Sequence, residues 1–324
     1  METVECDFCG STDAVNVTQQ TDKLYHTTRE LFNIVSCLKC GLHYTNPRPS
    51  VREMGQYYTS GYYYHLAPSR WSRYARLIAT KIANSIFAYI ANLIPIISKR
   101  LAPLVRPKVS DPVLKYYNEG GQGCFLDIGC GAGAKAHFWD EAGSLMSYRR
   151  FTQVAGVEVG SHALESLTAA GVEAWKDIAE VPKERRFGVI RMNWSLEHVH
   201  SPARYFDFLR KHLIVGGQAI IAVPNYDGLI YRLARNCVEL PIHLYHFRPA
   251  DIQNYAARYD LQIINLCTFS YPEMFTVAAQ AGLLPDVFKH QISLRATHAF
   301  QESLRRFDLA NWGNDMIVVL AHKQ

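Results

Sequence analysis

The stretch Phe125-Leu126-Asp127-Ile128-Gly129-Cys130-Gly131-Ala132-Gly133 restricts the fold more than any other part of the chain. Cys124 to Leu126 read as the apolar end of a buried strand, which Asp127 closes. Three glycines at alternate positions then make a tight turn, and Ala134 to Ala142 read as a helix. Glycine is needed where backbone approaches a ligand closely, because a β-carbon would collide with it. The loop opens a helix N-terminus, whose unpaired N–H groups favour a negatively charged ligand group. The unit therefore predicts a nucleotide-type cofactor loop on the first strand of an α/β sheet. The bland alternative is a glycine-rich turn that binds nothing.

Two cofactors compete for such a loop. Gly129-x-Gly131-x-x-Ala134 fits the dinucleotide fingerprint, which tolerates alanine at its third position. Asp127 tips the balance, because a carboxylate two residues before the first glycine would repel a pyrophosphate. S-adenosylmethionine (SAM) carries an amino group and a sulfonium, and a carboxylate suits both. The Asp-x-Gly-x-Gly-x-Gly form resembles motif I of class I SAM-dependent methyltransferases. That resemblance implies cofactor contacts from Asp127, Gly129, Gly131 and Gly133.

The chain of 324 residues is long enough for one large domain or two smaller ones, and at 48% hydrophobic it is expected to bury an ordinary core. From Phe151 onward strand and helix patterns alternate. Strands are expected over Phe151–Glu158, Phe187–Met192, Gln218–Val223, Leu261–Thr268 and Asp315–Ala321. Helices are expected over Ser161–Ala170, Pro202–Leu213 and Pro249–Tyr259. The alternation predicts a doubly wound, mostly parallel sheet with helices on both faces. With the resemblance, that sheet is a seven-stranded Rossmann-like methyltransferase domain over residues 121–324.

Residues 1–49 read as a zinc ribbon. Cys6-x-x-Cys9-Gly10 and Cys37-x-x-Cys40-Gly41 are two knuckles, and four thiolates so placed can close a tetrahedral Zn²⁺ site with no open position. The segment between them is short of apolar residues and needs a staple to fold. A closed four-sulfur site is structural, so no catalysis is assigned to it. Of eight cysteines, four fall in these pairs, which suggests metal binding in a reducing compartment. The first residues show neither a basic region nor an apolar run of signal-peptide type, and the expected location is the cytoplasm.

Residues 50–120 read as a helical basic linker or lid. The net charge is +5, yet Met54 to Ser110 holds no Asp or Glu and eight basic side chains, from Arg70 to Lys108. Ile78, Ile82, Ile86, Ile90 and Ile94 recur every four residues, which predicts one or two helices over 70–105. The uncharged run from Ile82 to Ser98 is short for a membrane span. Two readings stay open: a lid or dimer surface, and peripheral contact of 70–108 with the inner membrane face. The tyrosines Tyr57, Tyr58 and Tyr62 to Tyr64 read as an aromatic wall packing the ribbon onto the next domain, ahead of a substrate platform.

The resemblance has further anchors. Glu158 ends the second strand of the core, where class I methyltransferases hold both ribose hydroxyls. Lys176-Asp177-Ile178 matches the region that holds the adenine, which implies contacts from Asp177 and Ile178. Asn193 to Pro202, read Asn-Trp-Ser-Leu-Glu-His-Val-His-Ser-Pro, looks like the Leu-Glu-His-Val…Pro element after strand four. It places Asn193 and His198 near the methyl group. Leu213-Ile214-Val215-Gly216-Gly217 stands where the family has Leu-Lys-Pro-Gly-Gly, and His243-Leu244-Tyr245-His246-Phe247 resembles its His-x-x-His-Phe element. Together with the cysteines, the chain resembles bacterial zinc-ribbon class I methyltransferases of polysaccharide and secondary-metabolite pathways.

Methyl transfer needs positioning and deprotonation of the acceptor. The Asn/Asp-Pro-Pro-aromatic element of enzymes that methylate base amines is missing after Asn193. A hydroxyl or carbon of a small molecule or glycan precursor is therefore the expected acceptor. Histidine suits the base, and His198, His243 and His246 are the candidates, each weighed against a structural role. The competing readings are an RNA methyltransferase that holds nucleic acid with its ribbon and basic helix, and an NAD-dependent oxidoreductase. A pI of 8.7 is only mildly basic, which weighs against nucleic acid.

Overall fold

The computed structural model describes residues 1–58, 111–133, 144–234, 239–270, 272–285 and 298–323. The helices expected over 70–105 and 134–142, the tyrosines at 62–64 and the proposed membrane-facing segment 70–108 lie outside those residues. None of the described helices is long and apolar enough to cross a membrane.

The first three strands, β1 (Ala14–Gln20), β2 (Phe32–Cys37) and β3 (His43–Thr45), form a small antiparallel sheet. Seven more form the main sheet: β4 (Phe125–Ile128), β5 (Val154–Val157), β6 (Glu173–Trp175), β7 (Phe187–Asn193), β8 (Leu213–Pro224), β9 (Leu261–Phe269) and β10 (Asp315–His322). Their spatial order is β6-β5-β4-β7-β8-β10-β9. The pairs from β6 through β8 are parallel, while β10 runs antiparallel to both β8 and β9. The strand order reverses at β4, so a crevice opens beyond the carboxyl ends of β4 and β7, where doubly wound sheets bind ligands.

Central strands are buried on both faces and so read as nearly continuous apolar runs. In β7 every residue from Phe187 to Met192 is buried, and Arg191 is the one charge among them. Helices α1 (Pro112–Asn118), α2 (Ser161–Ala169), α3 (Pro202–His212), α4 (Leu229–Ala234), α5 (Pro249–Arg258), α6 (Pro272–Gln280) and α7 (His298–Leu309) complete the described regular structure. Asp111 caps α1 by accepting from the Val113 and Leu114 N–H groups, and Pro112 sits at its first turn. Arg210, Lys211 and His212 end α3, where cations suit the helix dipole.

Two expectations shift in detail. Leu213–Gly217, expected as a turn, is absorbed into a long β8; Gly216 takes a left-handed φ of +77° and the pairing with β7 slips beside it. Strand β6 was not singled out, because three residues are too few to show a period of two.

The small sheet shares its core with the large one. Phe32, Ile34 and Tyr44 belong to the same buried cluster as Leu196, Phe206 and Phe247. Tyr44 bridges Tyr245, the Thr45 N–H donates to Leu244 O at 2.9 Å, and Arg248 Nη2 donates to Gly41 O at 2.7 Å. Asp7 caps α3 from outside its own segment: its carboxylate accepts from Ser201 Oγ at 2.6 Å and from the Ala203 N–H at 2.8 Å. Tyr57 packs edge-on against Phe32.

Candidate active site and metal centre

The glycine loop leaves β4 at the crevice. Gly129, Gly131 and Gly133 have φ of +78°, +53° and +73°, a region that residues with a β-carbon rarely adopt. A β-carbon at Gly129 would lie 2.7 Å from Ser195 Cβ, and one at Gly133 would lie 2.9 Å from Leu167 Cδ2. Glu158, at the end of β5, reaches back to this loop. Its Oε2 accepts from the Gly131 N–H at 2.8 Å and its Oε1 from the Gly160 N–H at 2.9 Å. A nearly buried carboxylate thus sits at the loop held by backbone donors.

Asp127 was expected to turn its carboxylate toward the cofactor. It is instead buried beneath the loop, and both oxygens accept from Arg191. The two residues are register partners across β4 and β7. Arg191 also donates to Tyr148 Oη at 3.4 Å, and Tyr148 donates to the Asp111 cap. Asp177 begins the 3-10 turn Ile178–Glu180 and accepts from the Ala179 N–H at 2.8 Å, with Ile178 buried beside it. Asn193 is the last residue of β7 and half-buried.

The chain then turns sharply. Trp194 has φ +49°, uncommon for a bulky residue, and its Nε1 donates to Asp315 Oδ1 at 3.1 Å. Ser195 Oγ donates to Ile128 O at 2.9 Å, which lays the turn against the glycine loop. Leu196–His198 forms one 3-10 turn that delivers Glu197 and His198 side by side. Glu197 is 1% exposed, and among the described residues neither of its oxygens has a hydrogen-bond partner. Burial pushes its carboxyl up to about 8, against the pull of His243. Burial likewise raises Asp315 to about 7.

His198 Nδ1 lies 3.0 Å from Ile242 O and 3.2 Å from Tyr58 Oη. A carbonyl can only accept, so Nδ1 carries a proton that it donates to Ile242 O. Nε2 lies 4.0 Å from Glu197 Oε1, and the His243 ring stands edge-on to His198 at 4.7 Å. Glu239 Oε2 is 3.2 Å from His243 Nε2.

Glu158 is thus bonded to the glycine loop, and Ser195 ties the turn between Asn193 and His198 to the same loop. The match of a methyltransferase-domain family model to residues 91–266, more than half the chain, falls on these same elements. The chain belongs to that family. It is a class I methyltransferase, and its methyl donor is SAM. No curated protein matches the chain. Among solved structures, a SAM-dependent methyltransferase from Clostridium acetobutylicum is 12% identical with a TM-score of 0.41, covering 75% of this chain and 100% of that one. One from Mesorhizobium loti is 17% identical with a TM-score of 0.42, over 64% of this chain and 95% of that one. Geranyl diphosphate C-methyltransferase from Streptomyces coelicolor is 16% identical with a TM-score of 0.41, over 68% and 87%.

In this methyltransferase the other candidate histidine lies elsewhere. His246 is buried rather than at the crevice rim, its Nε2 3.2 Å from Thr45 Oγ1, and burial holds it well below the usual histidine range. It joins the two sheets. Arg191 lies beside Asp127 and Asp315 beside Trp194 without having been named as site residues from the sequence, while Trp194 and Glu197 stood in the motif without an assigned role. Arg191 had a signal, a lone charge in an apolar strand. Tyr58 stood in the tyrosine-rich run, but its link to His198 spans the chain and no local pattern shows it.

The four N-terminal cysteines converge. Cys6 and Cys40 Sγ are 3.4 Å apart, Cys9 and Cys37 Sγ 3.5 Å, and all four sulfurs lie within 4.8 Å of one another. Tetrahedral zinc with about 2.3 Å bonds to sulfur needs sulfurs roughly 3.8 Å apart. Gly10 and Gly41, at φ +69° and +78°, let each knuckle fold back so that their N–H groups donate to Cys6 O and Cys37 O.

Proposed function

We propose that this methyltransferase acts on a hydroxyl or carbon of a small-molecule or glycan-precursor acceptor, and that its N-terminal cysteines hold one structural zinc ion. The observation that carries the reading is the bond from Ser195 Oγ to Ile128 O, which lays the turn bearing Glu197 and His198 against the glycine loop that Glu158 holds.

SAM brings a methyl group already activated on its sulfonium. The chain's residues hold the donor and prepare the acceptor. Gly129, Gly131 and Gly133 admit the donor close to backbone, Glu158 receives its ribose hydroxyls, and Asp177 with Ile178 flanks the adenine. Asp127 acts indirectly, by fixing the loop through Arg191. Asn193 and the turn after it line the methyl. The Glu197–His198–His243 cluster takes charge of the acceptor's proton, and Tyr58 and Ile242 O hold the His198 ring in place. Held by the glycine loop and Glu158, SAM would supply the methyl group to the acceptor that these residues position.

Calorimetric titration with SAM, S-adenosylhomocysteine and NAD tests the donor half. The first two should bind in about one equivalent and NAD should not. Incubation with SAM and a panel of hydroxylated small molecules, sugar nucleotides and RNA, read by mass, tests the acceptor half. Methylation of RNA base amines alone would overturn it.

A further inference from the structure

A buried carboxylate with no partner is costly, and such groups are found paired, protonated or bound to a metal. Glu197 is buried, and both its oxygens lack hydrogen-bond partners among the described residues. One oxygen of Glu197, one ring nitrogen of His198 and one of His243 all lie within 4.8 Å of one another. They come from two elements, the turn after β7 and the segment before α5, so the convergence is a product of the fold rather than of helix or strand spacing.

The surroundings match what a ligating histidine needs. Such a ring donates its other N–H to a carbonyl or carboxylate, which fixes the tautomer and aims the lone pair. His198 donates Nδ1–H to Ile242 O at 3.0 Å, and its Nε2 lies 4.0 Å from Glu197 Oε1. His243 has its own carboxylate, Glu239, at 3.2 Å. Two imidazoles and one carboxylate favour a first-row transition cation such as Zn²⁺, Mn²⁺, Fe²⁺ or Co²⁺ over Mg²⁺ or Ca²⁺, which prefer all-oxygen sites.

We propose that Glu197, His198 and His243 form a second, open metal site that holds a first-row divalent cation, separate from the four-cysteine ribbon. Three protein ligands leave positions for an acceptor oxygen. A cation lowers the pKa of a hydroxyl bound to it, so the hydroxyl proton passes to water before the methyl arrives. The cluster's part in deprotonation then belongs to the cation rather than to an imidazole base. This rests on the reading of the cluster as the acceptor side of the crevice.

The test uses the full chain with its ribbon zinc loaded, titrated with Co²⁺ alone and followed by visible absorption. The expected result is one saturable equivalent with ligand-field bands and no sulfur-to-cobalt charge-transfer band. Glu239→Gln should weaken binding by about 10-fold, as loss of an outer-sphere partner does, and Glu197→Gln and His243→Gln by more. Thermal melting checks that each variant folds. Absence of a saturable site in the wild-type chain overturns the proposal, as does a spectrum showing only sulfur coordination. Unchanged affinity in folded Glu197→Gln also overturns it. SAM affinity is measured separately. A chain that binds SAM but not Co²⁺ fails here alone, and one that binds Co²⁺ but not SAM fails the earlier reading alone.

Discussion

Arg191 grips Asp127 edge to edge: Nε donates to Oδ1 at 2.9 Å and Nη2 to Oδ2 at 2.6 Å, with both side chains buried. The pair lies directly across β4 and β7, two residues before the first glycine of the loop. Each oxygen of Asp127 accepts one of these bonds, and the guanidinium stacks over Phe125 and Tyr148. The acidic residue that opens the glycine motif is therefore the lower anchor of the loop.

That geometry sets the first prediction. Removing one partner of a buried pair leaves an uncompensated charge, which costs about 3–5 kcal/mol, while replacing both by apolar groups costs far less. Arg191→Met should destabilise by that amount in denaturant unfolding. The double variant Arg191→Met/Asp127→Leu should recover most of it. A double variant as unstable as the single would show that the pair is not what holds the strands in place.

The second prediction concerns the loop itself. Glu158→Ala removes the acceptor of the Gly131 and Gly160 N–H groups and the carboxylate assigned to the ribose. Hydrogen bonds to a charged group contribute about 1.5–3 kcal/mol, so SAM affinity should fall by roughly 10- to 100-fold in calorimetry. Gly129→Ala should also lose affinity, because it adds strain of about 1–2 kcal/mol at φ > 0 and drives a methyl group into Ser195. Unchanged SAM affinity in both folded variants would sink the assignment of this loop.

Much of this was legible in the sequence because local patterns carry it. The glycine motif is a backbone demand, and three positive φ values meet it. The Cys-x-x-Cys-Gly knuckles are local turns, and the four sulfurs do converge. The strand–helix alternation sufficed for a doubly wound sheet. What stayed hidden depends on register and docking. Asp127 looked available because its partner is 64 residues away on a strand whose pairing no period reveals. His246 looked like a crevice residue until the small sheet covered it through Thr45. Glu197 stood in a recognised motif, but that its oxygens find no hydrogen bond among the described residues is a property of the packed core.

The third prediction follows from that docking. Metal analysis should find about one ribbon zinc per chain, and structural zinc contributes ~10 kcal/mol or more in small zinc domains. Cys37→Ser should abolish that zinc and unfold the ribbon. The effect should reach the catalytic sheet, since Asp7 caps α3 and Thr45 and His246 join the two sheets. Limited proteolysis should cut the variant near 1–49, and its melting temperature should fall. Full zinc occupancy in Cys37→Ser would count against the ribbon.

The fourth prediction is a pH dependence at the same seam. His43 is lowered from 6.5 to about 4, first by burial and then by the charge of Arg248, with Asp227 opposing. In the folded chain the ring stays neutral, while in the unfolded chain it takes a proton below its ordinary value. Stability rises with pH wherever the unfolded state binds more protons. The contribution of His43 is thus complete above the unfolded value of 6.5 and is lost as the pH falls toward about 4. His43→Gln removes the titration. Allowing for partial solvent screening, the variant should gain about 1 kcal/mol relative to wild type between about pH 7.5 and about pH 5. Denaturant unfolding of both chains at the two pH values measures it. Stability differences that stay equal at both values would show that His43 titrates alike in the folded and unfolded states.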